Sequence, residues 1–169
     1  LDAERRGRLE DRAAFTEAGL VVTDKRLGPL FVDVDVVDPR TGDRSDLQLG
    51  MNYREFPPYR IDIGPVLDVR DAVAAKMSAL WSRGEARDFI DIAAVLDSGR
   101  FSADEVLALA DEQETTPIDR RLLAQQFGAA ARWPEVEYAR YGVDAAGRDR
   151  IIARFAEWAS DLSRGYSAE

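Results

Sequence analysis

The stretch "DVRDAVAAKMSALWSRGEARDFIDIAAVL", residues 68–96, decides how this chain is read. Asp68 reads as a helix N-cap, with Asp71 three residues on as a weak capping box. Helical patterning continues to about Arg83, and Gly84 ends it. A second helix covers about 86–97. Seven of the eight residues from Phe89 to Leu96 are apolar, and the eighth is Asp91. A buried, unpaired carboxylate is costly enough that it finds a partner or takes up a proton. Asp91 therefore requires a partner, a metal or an open cleft. The preceding helix carries a matching oddity. Val69, Ala72, Val73, Lys76, Ala79, Leu80 and Arg83 share one face at helical spacing, which sets Lys76 in an apolar stripe. A short turn joins the helices, so they should pack side by side, with Lys76 and Asp91 facing one site. A structural ion pair, or a lysine whose stem covers apolar surface while its head stays in water, is the plainer alternative and stays open. Arg83, Arg87 and Asp88 surround the turn. Guanidinium forks there suit phosphate, and they equally suit helix-end solvation.

Composition narrows the chemistry. The chain has 169 residues, enough for one domain or two small lobes. It contains no Cys and no His. Disulfides, thiolate chemistry and the usual zinc ligands are thereby excluded. A metal would have to be held by carboxylates, backbone and water, which favours Mg²⁺ or Mn²⁺. Acid–base work would fall to Asp, Glu, Lys or Tyr. The net charge of -9 argues against a general nucleic-acid coat, while leaving room for a local basic patch. Basic residues are uneven: 21 Arg against two Lys, Lys25 and Lys76. Each lysine thus raises the question of why arginine does not serve. No apolar run approaches the roughly 20 residues that span a bilayer, and the charged N-terminus does not read as a signal peptide. The expectation is a soluble, cytoplasmic protein.

Outward from residues 68–96, the N-terminal part reads as strands. Residues 2–18 suggest a surface helix stopped at Gly19. Val21-Val22 suggest a short strand, and "LFVDVDVV" (30–37) alternates with period two. "DPRTGDR" (38–44) is rich in turn formers and should close a hairpin onto 45–49. "REFPPYR" (54–60) reads as a loop, followed by a last short strand in 61–66. Beyond residue 97, "SADE" (102–105) is a capping box for a helix to about Gln113, and two more helices follow at roughly 117–130 and 144–163. The expected class is α+β: a sheet-containing part over 1–67 and a helical part over 68–169. Asp33 and Asp35 fall on one face of a strand. Such a pair can chelate Mg²⁺ or simply face solvent. Asp46 on the returning strand carries the same ambiguity.

The 68–96 stretch resembles the C-terminal core of AbiEii/AbiGii-type nucleotidyltransferase toxins, the toxin half of type IV toxin–antitoxin systems, which include the MenT toxins. The matching pattern is a Lys on a small-residue helix, an Arg seven positions on, then Arg-Asp with an Asp three residues further: Lys76, Arg83, Arg87, Asp88 and Asp91. "MNYREFPPYR" and "GPVLDVRD" are similar to the actinobacterial branch, and the similarity extends from about Ala14 to "RYGVDAAGRDRIIARFAEW". The resemblance implies a nucleotidyltransferase-like small sheet followed by a helical bundle. It implies transfer of a nucleoside monophosphate from an NTP to an RNA end, expected to be tRNA, with Mg²⁺ or Mn²⁺ as cofactor. Lys76 and Asp91 would be catalytic, Arg83 and Arg87 would bind phosphate, and Asp46 would be a metal ligand. The family opens with Gly-Ser and Asp-x-Asp, which nothing here matches, so the chain is expected to lack that segment; an active toxin and a chain inactive for want of the first two carboxylates both stay open. A cognate antitoxin and RNA are the implied partners. With its first strands missing, the sheet would leave an edge that a homodimer could cover. The alternative is a non-catalytic module of the same fold that binds an antitoxin or RNA.

Overall fold

The computed structural model describes residues 13–29, 31–50, 54–62 and 64–165. They belong to two compact units, 1–53 and 54–169. Most of the helix expected over 2–18 lies outside the described residues; 13–17 is helical.

The first unit is a three-stranded antiparallel sheet in the order β1-β2-β3. Its strands are β1 (Val21–Leu27), β2 (Phe31–Val37) and β3 (Arg44–Gly50). β1 runs five residues beyond the expected Val21-Val22, through the polar "TDKR". Propensity hides such a strand; its pairing with β2 is what forms it. In β2, Val34 and Val36 are buried and face one side, while Asp33 and Asp35 face the other. The hairpin of β2 and β3 closes on Asp38, whose side chain accepts from the Arg40 backbone N–H at 2.9 Å. The Arg40 guanidinium grips the same carboxylate, and the two bonds hold it below the usual carboxylate range.

The second unit begins with a two-stranded antiparallel ribbon, β4 (Tyr59–Ile61) and β5 (Gly64–Val66). Part of the stretch expected to be a loop is therefore strand. Six helices follow: α1 (Val69–Ser82), α2 (Ala86–Asp97), α3 (Ala103–Gln113), α4 (Arg120–Phe127), α5 (Glu135–Ala139) and α6 (Ala145–Gly165). A 3-10 turn, Gly128–Arg132, joins α4 to the short α5, which sequence patterning did not suggest. Five residues are too few to show a helical period.

The helices enclose one core. Phe155 of α6 meets Phe89 of α2 edge-on, ring centres 5.0 Å apart, and meets Phe127 of α4 at the same distance. Met77, Leu80, Ile92, Val106 and Leu123 are fully buried around them. Burying a large apolar side chain contributes about 1.5–3 kcal/mol, so this cluster is what fixes α1, α2, α4 and α6. The Ser102 capping box forms as expected: the Glu105 backbone donates to Ser102 Oγ and the Ser102 backbone to Glu105 Oε2. At α1 the expectation holds only in part. Asp68 caps the helix by accepting from the Arg70 backbone at 2.9 Å. Asp71 is not its capping-box partner. It is buried and accepts from the backbone N–H groups of Glu55 and Phe56 and from Gln113, tying the entry segment and α3 to α1.

Candidate active site

The turn between α1 and α2 is held by the protein's own contacts. Gly84 adopts φ 58, a left-handed conformation that glycine takes without steric cost. A Cβ there would lie 2.2 Å from Gln126 Nε2, which donates to the Leu80 carbonyl. Trp133 Nε1 donates to the Gly84 carbonyl at 2.7 Å. The exit of α1 is thereby held from outside the turn. Asp88, with no exposed surface, fastens it from within. Its carboxylate accepts from Arg83 Nε at 2.9 Å, from Arg83 Nη2 at 2.8 Å and from the Glu85 backbone at 3.0 Å. The bonds to Asp88 raise the already high pKa of Arg83. A buried charge persists when its lone pairs are filled in this way.

This geometry brings Lys76 and Asp91 together. Lys76 Nζ donates to Asp91 Oδ2 at 2.7 Å. The buried face of α1 is centred on Val73, Ala74, Met77 and Leu80, so Lys76 stands at the margin of the apolar stripe and not in its middle. The lysine side chain is 40% exposed and that of Asp91 27%. The answer to the carboxylate in an apolar run is thus a partner at the edge of the core, open to solvent. Arg87, one helical turn before Asp91, places Nε 3.7 Å from the same Oδ2. Its guanidinium also lies 5.9 Å from the ring centre of Tyr141, a half-exposed residue that sequence reading did not single out. An aromatic residue ahead of a glycine was the available signal. Arg83 sits at the same turn, but Nε and Nη2 are committed to Asp88, which leaves Nη1 as its uncommitted end.

Asp46 belongs to a different cluster, on the sheet unit. The register of β1 against β2 shifts between Asp24 and Arg26, a bulge at Lys25. Lys25 Nζ lies 2.7 Å from Asp46 Oδ2 and 3.7 Å from both Asp33 Oδ1 and Asp35 Oδ1. Asp35 and Asp46 are cross-strand neighbours. The hydrogen bond to Asp46 raises the Lys25 pKa, and the same bond lowers that of Asp46. Among the described residues, no group of three or more His, Cys, Asp or Glu side chains is arranged to hold a metal ion. These three carboxylates converge on an ammonium.

Among the described residues no helix is long and apolar enough to cross a membrane. No curated protein and no solved structure gives a match to the chain. A family model does, over residues 13–162, described as "Nucleotidyl transferase AbiEii toxin, Type IV TA system". That span contains both units' described strands, the α1–α2 turn and every residue of the Lys76–Asp91 site, and the chain belongs to the AbiEii family of nucleotidyltransferase toxins of type IV toxin–antitoxin systems.

Proposed function

We propose that the Lys76–Asp91 site serves transfer of a nucleoside monophosphate from an NTP to an RNA end, with tRNA as the expected acceptor. The supporting observation is the geometry at Asp91: one carboxylate faces two cations, Lys76 at 2.7 Å and Arg87 at 3.7 Å, at a solvent-open edge. Lys76 and Arg87 against Asp91 leave one positive charge, in a chain that is strongly negative overall, to draw an anion to this place.

In the reaction an RNA hydroxyl attacks the α-phosphorus of the NTP. A new P–O bond forms, the bond to the β-phosphate oxygen breaks, pyrophosphate leaves with the electron pair, and the hydroxyl proton passes to water. Lys76 meets the phosphoryl oxygens as a compact point charge and stabilises the charge that develops on them. Asp91 is the positioning residue that aims Lys76. Arg87 adds a second cation for the triphosphate, and Arg83 reaches phosphate through Nη1. Mg²⁺ or Mn²⁺ would supply charge for the triphosphate in this chemistry; among the described residues no group of three or more acidic side chains is arranged for it, and Asp46, the expected ligand, faces Lys25. A cognate antitoxin is the partner that membership of a type IV toxin–antitoxin family implies.

The test is incubation of the full chain with each labelled NTP, Mg²⁺ and total tRNA. Label on RNA with wild type, and none with Lys76→Ala, is the expected result. Equal labelling by both proteins would reject the site. A chain that binds RNA or antitoxin without transferring label would be the non-catalytic module.

A further inference from the structure

The peptide that joins Gly84 to Glu85 is gripped at both ends. Its carbonyl accepts from Trp133 Nε1 at 2.7 Å. Its N–H donates to Asp88 Oδ2 at 3.0 Å. An amide is planar, with C=O and N–H on opposite sides, so two such bonds fix its rotation. The candidate site hangs on that plane. Asp88, set by one bond of this peptide, takes the fork of Arg83 at 2.9 Å and 2.8 Å. Glu85 is the N-cap of α2, and Arg87 and Asp91 follow in the first turns of that helix. Lys76 in turn donates to Asp91.

Trp133 is itself fixed from elsewhere in the helical unit, 49 residues along the chain from Gly84. Pro134 follows it and disfavours a helical backbone there; Trp133 is extended, at φ -75 and ψ 129. Its carbonyl accepts from Arg148, at the start of α6, through Nε at 3.3 Å and Nη2 at 3.2 Å. Its ring packs against the helical core. An indole offers one N–H in one direction and no acceptor. Held by its backbone, its carbonyl and its ring, Trp133 is a donor already aimed before the turn forms its bond. Gln126 fills the neighbouring Leu80 carbonyl, one of the last four of α1, at 3.2 Å.

We infer that Trp133 is a positioning residue for the transfer reaction: through the Gly84–Glu85 peptide, its indole N–H sets Asp88 and Arg83 on one side and the start of α2, with Arg87 and Asp91, on the other. The inference rests on the transfer reaction proposed at Lys76. Label transfer from NTP to tRNA is measured in the full chain for wild type, Trp133→Phe and Tyr138→Phe, with circular dichroism as the folding check. Trp133→Phe keeps an aromatic ring and loses the N–H. Tyr138→Phe is the control, since it loses a buried hydrogen bond of the same unit, Tyr138 Oη to the Ala130 carbonyl at 3.0 Å, that does not reach the turn. In Trp133→Phe the charges remain and only their aim changes, so kcat should fall about tenfold while KM for NTP stays within about twofold. Tyr138→Phe should leave both within about twofold of wild type. The second readout is the Trp133 indole N–H resonance in isotope-labelled wild type, assigned by its nuclear Overhauser contact to Gly84. Inorganic tripolyphosphate should shift that resonance in wild type and leave it in place in Lys76→Ala. Trp133→Phe with wild-type kcat, or with a loss no greater than that of Tyr138→Phe, overturns the inference and leaves the transfer reading standing. An indole resonance unmoved by saturating tripolyphosphate overturns it too, and decides the question should Trp133→Phe fail to fold. A wild-type chain that transfers no label overturns both.

Discussion

The chain's two lysines sit in opposite electrostatic settings. Lys25 on the sheet unit faces three carboxylates, Asp33, Asp35 and Asp46, so its surroundings stay negative. Lys76 on the helical unit shares one carboxylate, Asp91, with Arg87, so its surroundings stay positive. Both present a compact ammonium, a point charge that a planar guanidinium does not reproduce, in a chain of 21 arginines. The lesson is that an ion pair is read by what is left over. The sheet cluster sets three carboxylates against one cation, whereas the helical cluster sets two cations against one carboxylate.

The largest effect expected from this contrast is on activity. Lys76→Ala and Lys76→Arg should each lower nucleotide transfer by at least about 100-fold, the scale of losing one preorganised charge contact in a transition state. Near-normal transfer by Lys76→Arg would make Lys76 a structural cation like Lys25 and erase the difference.

Next in size is a pair of neighbouring arginines. Arg83→Ala strands the buried Asp88 carboxylate and should cost about 3–5 kcal/mol in urea unfolding. Arg87→Ala removes a longer, exposed contact to Asp91 and should cost at most about 1 kcal/mol while weakening NTP binding. Equal costs would show that Arg83 and Arg87 are not divided between holding the turn and meeting a ligand. Gly84→Ala follows: its left-handed backbone should make the change destabilising by about 1–2 kcal/mol, measured as a lower melting midpoint.

The smallest effect concerns the helix that carries Lys76. The Arg70 side chain and backbone hold the Asp68 carboxyl at about 2, below its ordinary value. A depressed carboxyl contributes fully above its unfolded pKa of about 4 and loses that contribution as pH falls towards about 2. Asp68→Asn, which still caps a helix, should flatten stability against pH in that window. An unchanged slope would place the acid sensitivity elsewhere.

The helical layout and the Lys76–Asp91 pairing were legible in the sequence because both follow from local periodicity and a short connection. The α+β class followed from the alternation in "FVDVDVV" and the capping signals downstream. What was not legible depends on residues distant in sequence. Lys25 meets Asp46 through a bulge that shifts register between strands. Asp71 reads as a helix-start acid, yet it is buried by groups that only folding supplies: Glu55, Phe56 and Gln113. Tyr141 gained meaning when the turn after α5 set it against Arg87.

Phosphate recognition by the Lys76 cluster is tested most directly by titrating the full chain with inorganic tripolyphosphate at low salt, wild type against Lys76→Ala and Lys25→Ala. Tripolyphosphate carries the charge of the NTP without base or ribose, so it reports on the ammonium and guanidinium groups alone. Saturable binding by wild type, weakened about tenfold or more in Lys76→Ala and unchanged in Lys25→Ala, is the predicted result. Binding that survives Lys76→Ala, or that falls equally in Lys25→Ala, would contradict it.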